Sequence, residues 1–171
     1  VLSGKFTFIG VENYKRMIES GYFFQTILNT LLIWIMSIIP QLTIAFVLSL
    51  ILSNKWFRGK FLLRNLYYFP NLVTPVTIGL LFGALFSYPG GAVNNIISTF
   101  GLQAVDFQNN PMLARIVIAI AICWKNFGFN IIYFTAGINS ISEEVMEAAE
   151  VDGASSWQKI TRITIPLMKP I

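Results

Sequence analysis

The run from Phe23 to Leu52, FFQTILNTLLIWIMSIIPQLTIAFVLSLIL, contains no Asp, Glu, Lys or Arg, and its reading decides the class of fold. The hydrocarbon core of a bilayer takes about 20 apolar residues of helix to cross. A soluble core helix of this length would carry a charged face. Working outward, the charge-free stretch extends from Glu19 to Lys55, and a second lies between Arg64 and Asp106. A third, Ile116 to Ser142, holds only Lys125. Each is long enough to span. The chain therefore reads as an all-α polytopic membrane protein, with spans over residues 23–52, 66–88 and 112–138.

Composition agrees and narrows the chemistry. Hydrophobic residues make up 55% of the 171 residues and charged residues 12%, about half the charged share of a soluble domain. The net charge of +4 does not point to nucleic acid, because the basic residues form no solvated stripe interleaved with aromatics. They stand at the ends of the apolar runs, where topology signals belong. Histidine is absent and Cys123 is the single cysteine, which removes the usual zinc sites and any internal disulfide. Cys123 inside an apolar run reads as a small buried hydrophobe. All three spans lack Asp and Glu. A secondary transporter or channel, the alternative class, would need ion-coupling carboxylates there. No nucleophile–base or metal-ligand set supports a membrane enzyme.

The basic residues also orient the chain. Lys55, Arg58, Lys60 and Arg64 crowd the 53–65 loop, and Lys159, Arg162 and Lys169 follow the third span. The other side carries Lys5, Lys15, Arg16 and Arg115, spread over longer stretches. Seven against four places 53–65 and 139–169 in the cytoplasm, and 1–22 and 89–111 outside.

Local signals punctuate the spans. Pro40 is placed to kink the first, which is longer than the hydrocarbon core is thick. Pro70 and Pro75 loosen the first half of the second, and Gly79 and Gly83 form a G-x-x-x-G pair that lets another helix approach. Pro89-Gly90-Gly91 ends that span, Ala92 to Phe100 predicts a short interfacial helix, and Glu12 to Ile18 a surface one. Ser140 to Glu143 has a capping-box pattern that starts a new, charged helix.

Residues 143–166 carry the functional signal. The first part, Glu143 to Glu150, is a helix with a small-residue surface at Ala148 and Ala149. Asp152-Gly153 supplies a turn, with Gly153 free to take positive φ. Ser155 caps a second helix with Gln158 three residues on. Trp157, Ile160 and Ile163 then share one face at three-residue spacing, and Pro166 stops the helix. An amphipathic helix lying on the membrane is the competing reading, but four glutamates beside an anionic leaflet argue against it.

This segment resembles the cytoplasmic EAA loop of ABC importer permeases: E-A-A, three residues, G, nine residues, I, one residue, L-P. Here it runs Glu147-Ala148-Ala149, Gly153, Ile163, then Ile165-Pro166, with Ile165 in place of Leu. Six matched positions make a chance match roughly one in ten million per start position, so the motif outweighs the weaker signposts around it. Those signposts are Phe8 to Tyr14, Asn29-Thr30, Tyr68-Phe69-Pro70, and Trp124 with Gly128-Phe129, which together resemble the carbohydrate-type branch.

The resemblance implies a type I ABC importer transmembrane core, with further spans before residue 1 and after residue 171. It implies that Glu147, Ala148, Ala149, Gly153, Ile163 and Pro166 couple the permease to cytoplasmic ATPase subunits. It also implies a second permease subunit, identical or homologous, and an external solute-binding protein that delivers a sugar or related polyol. The setting would be the prokaryotic cell (inner) membrane. No G-x-x-x-x-G-K-[ST] run is present, so the chain binds no cofactor itself and ATP would be hydrolysed by the partner.

Lys125, the one charge within the third span, joins Asn126, Asn130, Tyr133 and Gly137 in a polar-to-small stripe extended by Cys123 and Ala119. Two readings stand for it. The stripe is a solute path, with amides bonding hydroxyls and Trp124, Phe127 or Tyr133 stacking on sugar rings. Alternatively, these groups bond neighbouring helices and Lys125 snorkels or pairs structurally.

The charge placement predicts that Lys60 and Lys159 face the cytoplasm while Val11 and Asn95 face outward. Single cysteines in a Cys123→Ala background, probed with an impermeant thiol reagent on intact cells, should be labelled at 11 and 95. Labelling at 60 but not at 95 would sink the orientation.

Overall fold

The computed structural model describes residues 10–54 and 59–168, without the side chains of Phe61 and Arg64. Phe8, Lys5, the Lys55–Arg58 part of the basic loop and Lys169 lie outside the described residues. Every described element is helical: α1 Glu12–Glu19, α2 Tyr22–Ser53, α3 Lys60–Leu72, α4 Pro75–Leu85, α5 Ala92–Thr99, α6 Pro111–Asn139 and α7 Glu143–Val151, followed by a compound helix over 156–167.

Two helices, α2 and α6, are long and apolar enough to cross a membrane. At about 1.5 Å of rise per residue each exceeds the roughly 30 Å hydrocarbon thickness. They pack side by side and parallel. Near their N-terminal ends Arg115 donates to Asn29 Oδ1 at 2.7 Å, and further along Phe46 meets Phe134 edge-on at 5.6 Å. The face α2 gives to this packing is a stripe at helical spacing, Ser37, Gln41, Ala45, Ser49 and Leu52, all buried. Small side chains let the backbones close up. The hydroxyls of Ser37 and Ser49 donate to their own helix, at Trp34 O and Phe46 O, and so are not left unmet by burial. Ala45, Leu52 and Ile131 form the core, with Leu48, Tyr67, Phe127 and Phe134 around it. Pro40 sits inside α2 without ending it.

Over the predicted span 66–88 the structure has two helices and not one continuous helix. α3 stops at Leu72, α4 starts at Pro75, and the stretches 65–72 and 75–85 are bent by 103°. Only as a pair are they apolar and long enough for a span. The physical cause is proline. Pro75 has no N–H to give the Asn71 carbonyl, and Thr74 adopts extended backbone to cap α4, its hydroxyl accepting from Thr77 N. A helix cannot pass through a residue that both lacks the donor and pushes its predecessor out of the α region.

Three residues of α6, Trp124, Lys125 and Gly128, hold this broken pair. Trp124 packs on Phe82 at 5.8 Å, Phe82 stacks on Phe86, and Phe86 meets Phe107 edge-on at 5.1 Å. Lys125 reaches the break itself. Gly128 abuts α3 so closely that a Cβ there would stand 1.9 Å from the Tyr67 carbonyl oxygen. The helix over 92–99 forms where the sequence predicts one, and the loop around it is knitted by Asn94, 1% exposed. Its amide donates to Ser87 O and Val105 O and accepts from Val105 N. Gln108 ties the same loop back to Gly83 O at 3.3 Å. Asn109 and Gln108 donate to the Asp106 carboxylate, and the Asn109 side chain above all holds its pKa below the ordinary aspartate value.

Because a Cβ at 128 would overlap backbone, not a movable side chain, Gly128→Ala should cost about 1–3 kcal/mol or more. At Gly79, where nothing lies within 4 Å, alanine in place of helix-interior glycine should cost nothing or stabilise by up to about 1 kcal/mol. Thermal unfolding of the detergent-solubilised protein compares the two; equal midpoints would refute the close α3–α6 approach.

Candidate functional site

The predicted loop folds as two short helices around Gly153. α7 begins at Glu143 as expected, but not through the predicted capping box. Ser142 is the N-cap and makes no side-chain cap bond, while the Ser140 hydroxyl turns back to donate to Gly137 O at 2.8 Å. Ser140 thus serves the end of α6. Gly153 takes φ +75° at the turn; nothing crowds its side, so conformation alone selects glycine there. The Ala154 N–H closes the turn on Ala149 O at 2.9 Å. The Ser155–Gln158 capping box forms in full, with Ser155 N donating to Gln158 Oε1 and Gln158 N to Ser155 Oγ.

Three features depart from the expectation. Ala148 and Ala149 do not share a surface: Ala148 is exposed, whereas Ala149 is buried at 8% exposure. Pro166 does not stop the second helix, which runs on through Leu167 and rewinds as a π-helix over Lys159–Thr164. The missing N–H of Pro166 breaks the α ladder at Arg162, and the wider winding is how the backbone passes it. That winding shifts the helical phase, so Trp157 is 72% exposed while Ile160 and Ile163 are half-buried.

A clasp that the sequence reading missed joins the two arms. Lys159 Nζ donates to Glu150 Oε1 at 2.6 Å. That hydrogen bond, with the lysine's charge behind it, holds the Glu150 carboxyl below the ordinary glutamate value. Glu143, Glu147 and Glu150 border a cavity of about 510 Å³ between the hairpin and the ends of α2 and α6, with Ser53, Asn139 and Thr164 on its walls.

The buried stripe is only partly a unit. Lys125 donates to Asn71 O at 3.0 Å and Val73 O at 3.1 Å. Asn126 donates to Ile122 O of its own helix. Asn130 Nδ2 is shut off from solvent with no hydrogen-bond partner among the described residues. Tyr133 is exposed and meets Phe129 edge-on at 4.8 Å. Of the three aromatic candidates, Trp124 is engaged with Phe82 and Phe127 with the core, which leaves Tyr133 outward. Gly79 and Gly83 line a groove of about 430 Å³ between α4 and α6; no helix among the described residues fills it, and nothing stands within 4 Å of either glycine.

This hairpin, which follows α6, holds the residues whose spacing resembles the EAA loop of ABC importer permeases. The family model described as binding-protein-dependent transport system inner membrane component matches residues 20–171, and the chain belongs to that family. It is 30% identical to the arabinooligosaccharides transport system permease protein AraP of Halalkalibacterium halodurans, over 100% of this chain and 54% of that protein. To the lactose transport system permease protein LacF of Rhizobium radiobacter it is 31% identical, over 96% and 55%. A crystal structure of a bacterial ABC transporter that imports the acidic polysaccharide alginate superposes with a TM-score of 0.85 at 32% identity, covering 97% of this chain and 58% of that one. The chain thus spans about half the length of these relatives.

The Glu150 carboxyl is held low by its partner, so the clasp contributes above the ordinary glutamate pKa and is lost as pH falls through the lowered value. Lys159→Gln should return the Glu150 titration, followed by carboxyl-carbon NMR, to near the ordinary value. An unchanged midpoint would mean that the clasp does not form.

Proposed function

We propose that this chain is part of the membrane-spanning permease subunit of an ATP-driven importer in the prokaryotic cell membrane. It moves a sugar or related polyol delivered by an external solute-binding protein. Cytoplasmic ATPase subunits supply the work, and a second permease subunit completes the pathway; the chain itself catalyses nothing. The observation that carries this reading is the hairpin at 143–166. Gly153 in the left-handed region, the Ser155–Gln158 box and the Lys159–Glu150 clasp make it a stiff projection and not a loose loop. Ala148 and Trp157 are exposed on it, where a cleft in a partner can take them, and Glu147 stands at the mouth of the cavity between the hairpin and the helix ends. The names of the relatives support the substrate class, and the solved alginate importer, crystallised with an alginate pentasaccharide-bound periplasmic protein, supports the binding-protein partner.

In the stripe, the unpartnered Nδ2 of Asn130 and the outward ring of Tyr133 are the groups we assign to the solute path. Lys125 and Asn126 are already bonded within the chain.

The test is the complete permease, purified and reconstituted with its ATPase and solute-binding protein. Gly153→Val forces a branched side chain into positive φ, at a strain of roughly 1–2 kcal/mol or more. Ala149→Arg places a charge where the chain is buried. Both should abolish uptake and binding-protein-stimulated hydrolysis together, and Glu147→Ala should weaken both. Asn130→Leu should reduce uptake while the complex still assembles. Stimulated hydrolysis and uptake at wild-type levels in Gly153→Val would show that this hairpin is not the coupling element.

A further inference from the structure

Lys125 lies midway along α6, the helix that leads through the short Ser140–Ser142 link into the hairpin. Its ammonium reaches across to the break between α3 and α4, donating to the carbonyls of Asn71 and Val73 at 3.0 and 3.1 Å. These carbonyls have lost their ordinary helical donors. Pro75, four residues beyond Asn71, has no N–H. Thr77 N, four beyond Val73, is taken by the Thr74 hydroxyl at 3.3 Å. Both oxygens also mark the C-terminal, negative end of α3, where a cation is favoured. One turn further along α6, Gly128 brings the backbone of α3 into contact at Tyr67. The two helices are thus fixed at successive turns, by a close approach and by a charge.

We propose that Lys125 is a positioning residue that fastens the α3–α4 break to α6, so that displacement of the hairpin moves the broken helix instead of slipping past it. The inference rests on the coupling reading given above and adds the residue through which the motion is handed on. An ammonium suits the task because its donors fan out from one point to two carbonyls in different directions. A thioether of similar length cannot donate, and the alternative of leaving the charge unpaired within an apolar helix is costly.

The experiment is uptake per ATP hydrolysed, measured in the complete reconstituted importer. Lys125→Met should assemble and keep binding-protein-stimulated hydrolysis, while uptake per ATP falls by about tenfold or more, the scale of losing a charge-assisted hydrogen bond. Lys125→Arg, which can still donate to two carbonyls, should recover most of the loss. A merely local role is separated by adding Pro75→Ala, which returns an N–H for the Asn71 carbonyl. If Lys125 fastens the helices, the double variant Lys125→Met with Pro75→Ala stays uncoupled. If it only satisfies a carbonyl, the double variant recovers uptake and the proposal is overturned. Wild-type uptake per ATP in Lys125→Met overturns it as well, and so does failure of Lys125→Met and the double variant alike to assemble. Should Gly153→Val leave uptake and hydrolysis untouched, the coupling reading falls. Should Gly153→Val uncouple while Lys125→Met does not, only the fastening falls.

Discussion

A backbone carbonyl held away from water must find a donor, and in this chain the prolines decide which carbonyls go without one. Each of three prolines is answered differently. At Pro75 the ladder is abandoned, the helix bends by 103°, and a lysine from another helix satisfies the oxygens left behind. At Pro166 the backbone stays helical and rewinds to the wider π form over Lys159–Thr164. At Pro40 the helix is not ended, and the residue helps to line a cavity against α6, with Met36, Cys123 and Trp124. The same covalent defect becomes a corner, a change of pitch or a local gap, according to what lies beside it.

Packing follows a second rule, that apolar helices in lipid associate by fit and not by expulsion of water. The stripe that α2 buries is therefore mostly serine, glutamine and alanine, and α3 meets α6 where Gly128 has no side chain at all. Larger residues point away: Trp34, Leu28 and Ile39 on α2 are exposed, as suits a surface that faces acyl chains.

The outline of the fold was legible because hydrophobicity and terminal charge are properties of the residues themselves. The predicted spans 23–52 and 112–138 differ from Tyr22–Ser53 and Pro111–Asn139 by one residue at each end. The bend was not legible. Proline announces that a ladder is broken but not which way the chain then turns, nor that the carbonyls left behind are met by Lys125, some fifty residues further on. In the hairpin, Gly153 and the Ser155–Gln158 box could be read, since each acts within a few residues. The exposure of Trp157 could not, because the π winding changes the phase on which a helical-face argument relies, and the burial of Ala149 could not, because it depends on how α7 is set against the rest of the chain. Asn94 escaped for another reason. An asparagine between glycine-rich turns looks like a solvent-facing residue until the loop closes around it.

That asparagine has a consequence for the surface the loop presents. A segment of this length, left untethered, would lose its conformational freedom anew each time something settled on it. Three hydrogen bonds to one side chain make that loss part of folding. The relief of this end of the molecule is therefore already cast when a visitor arrives. Encounter there becomes a matter of orientation, with little left to be moulded by contact.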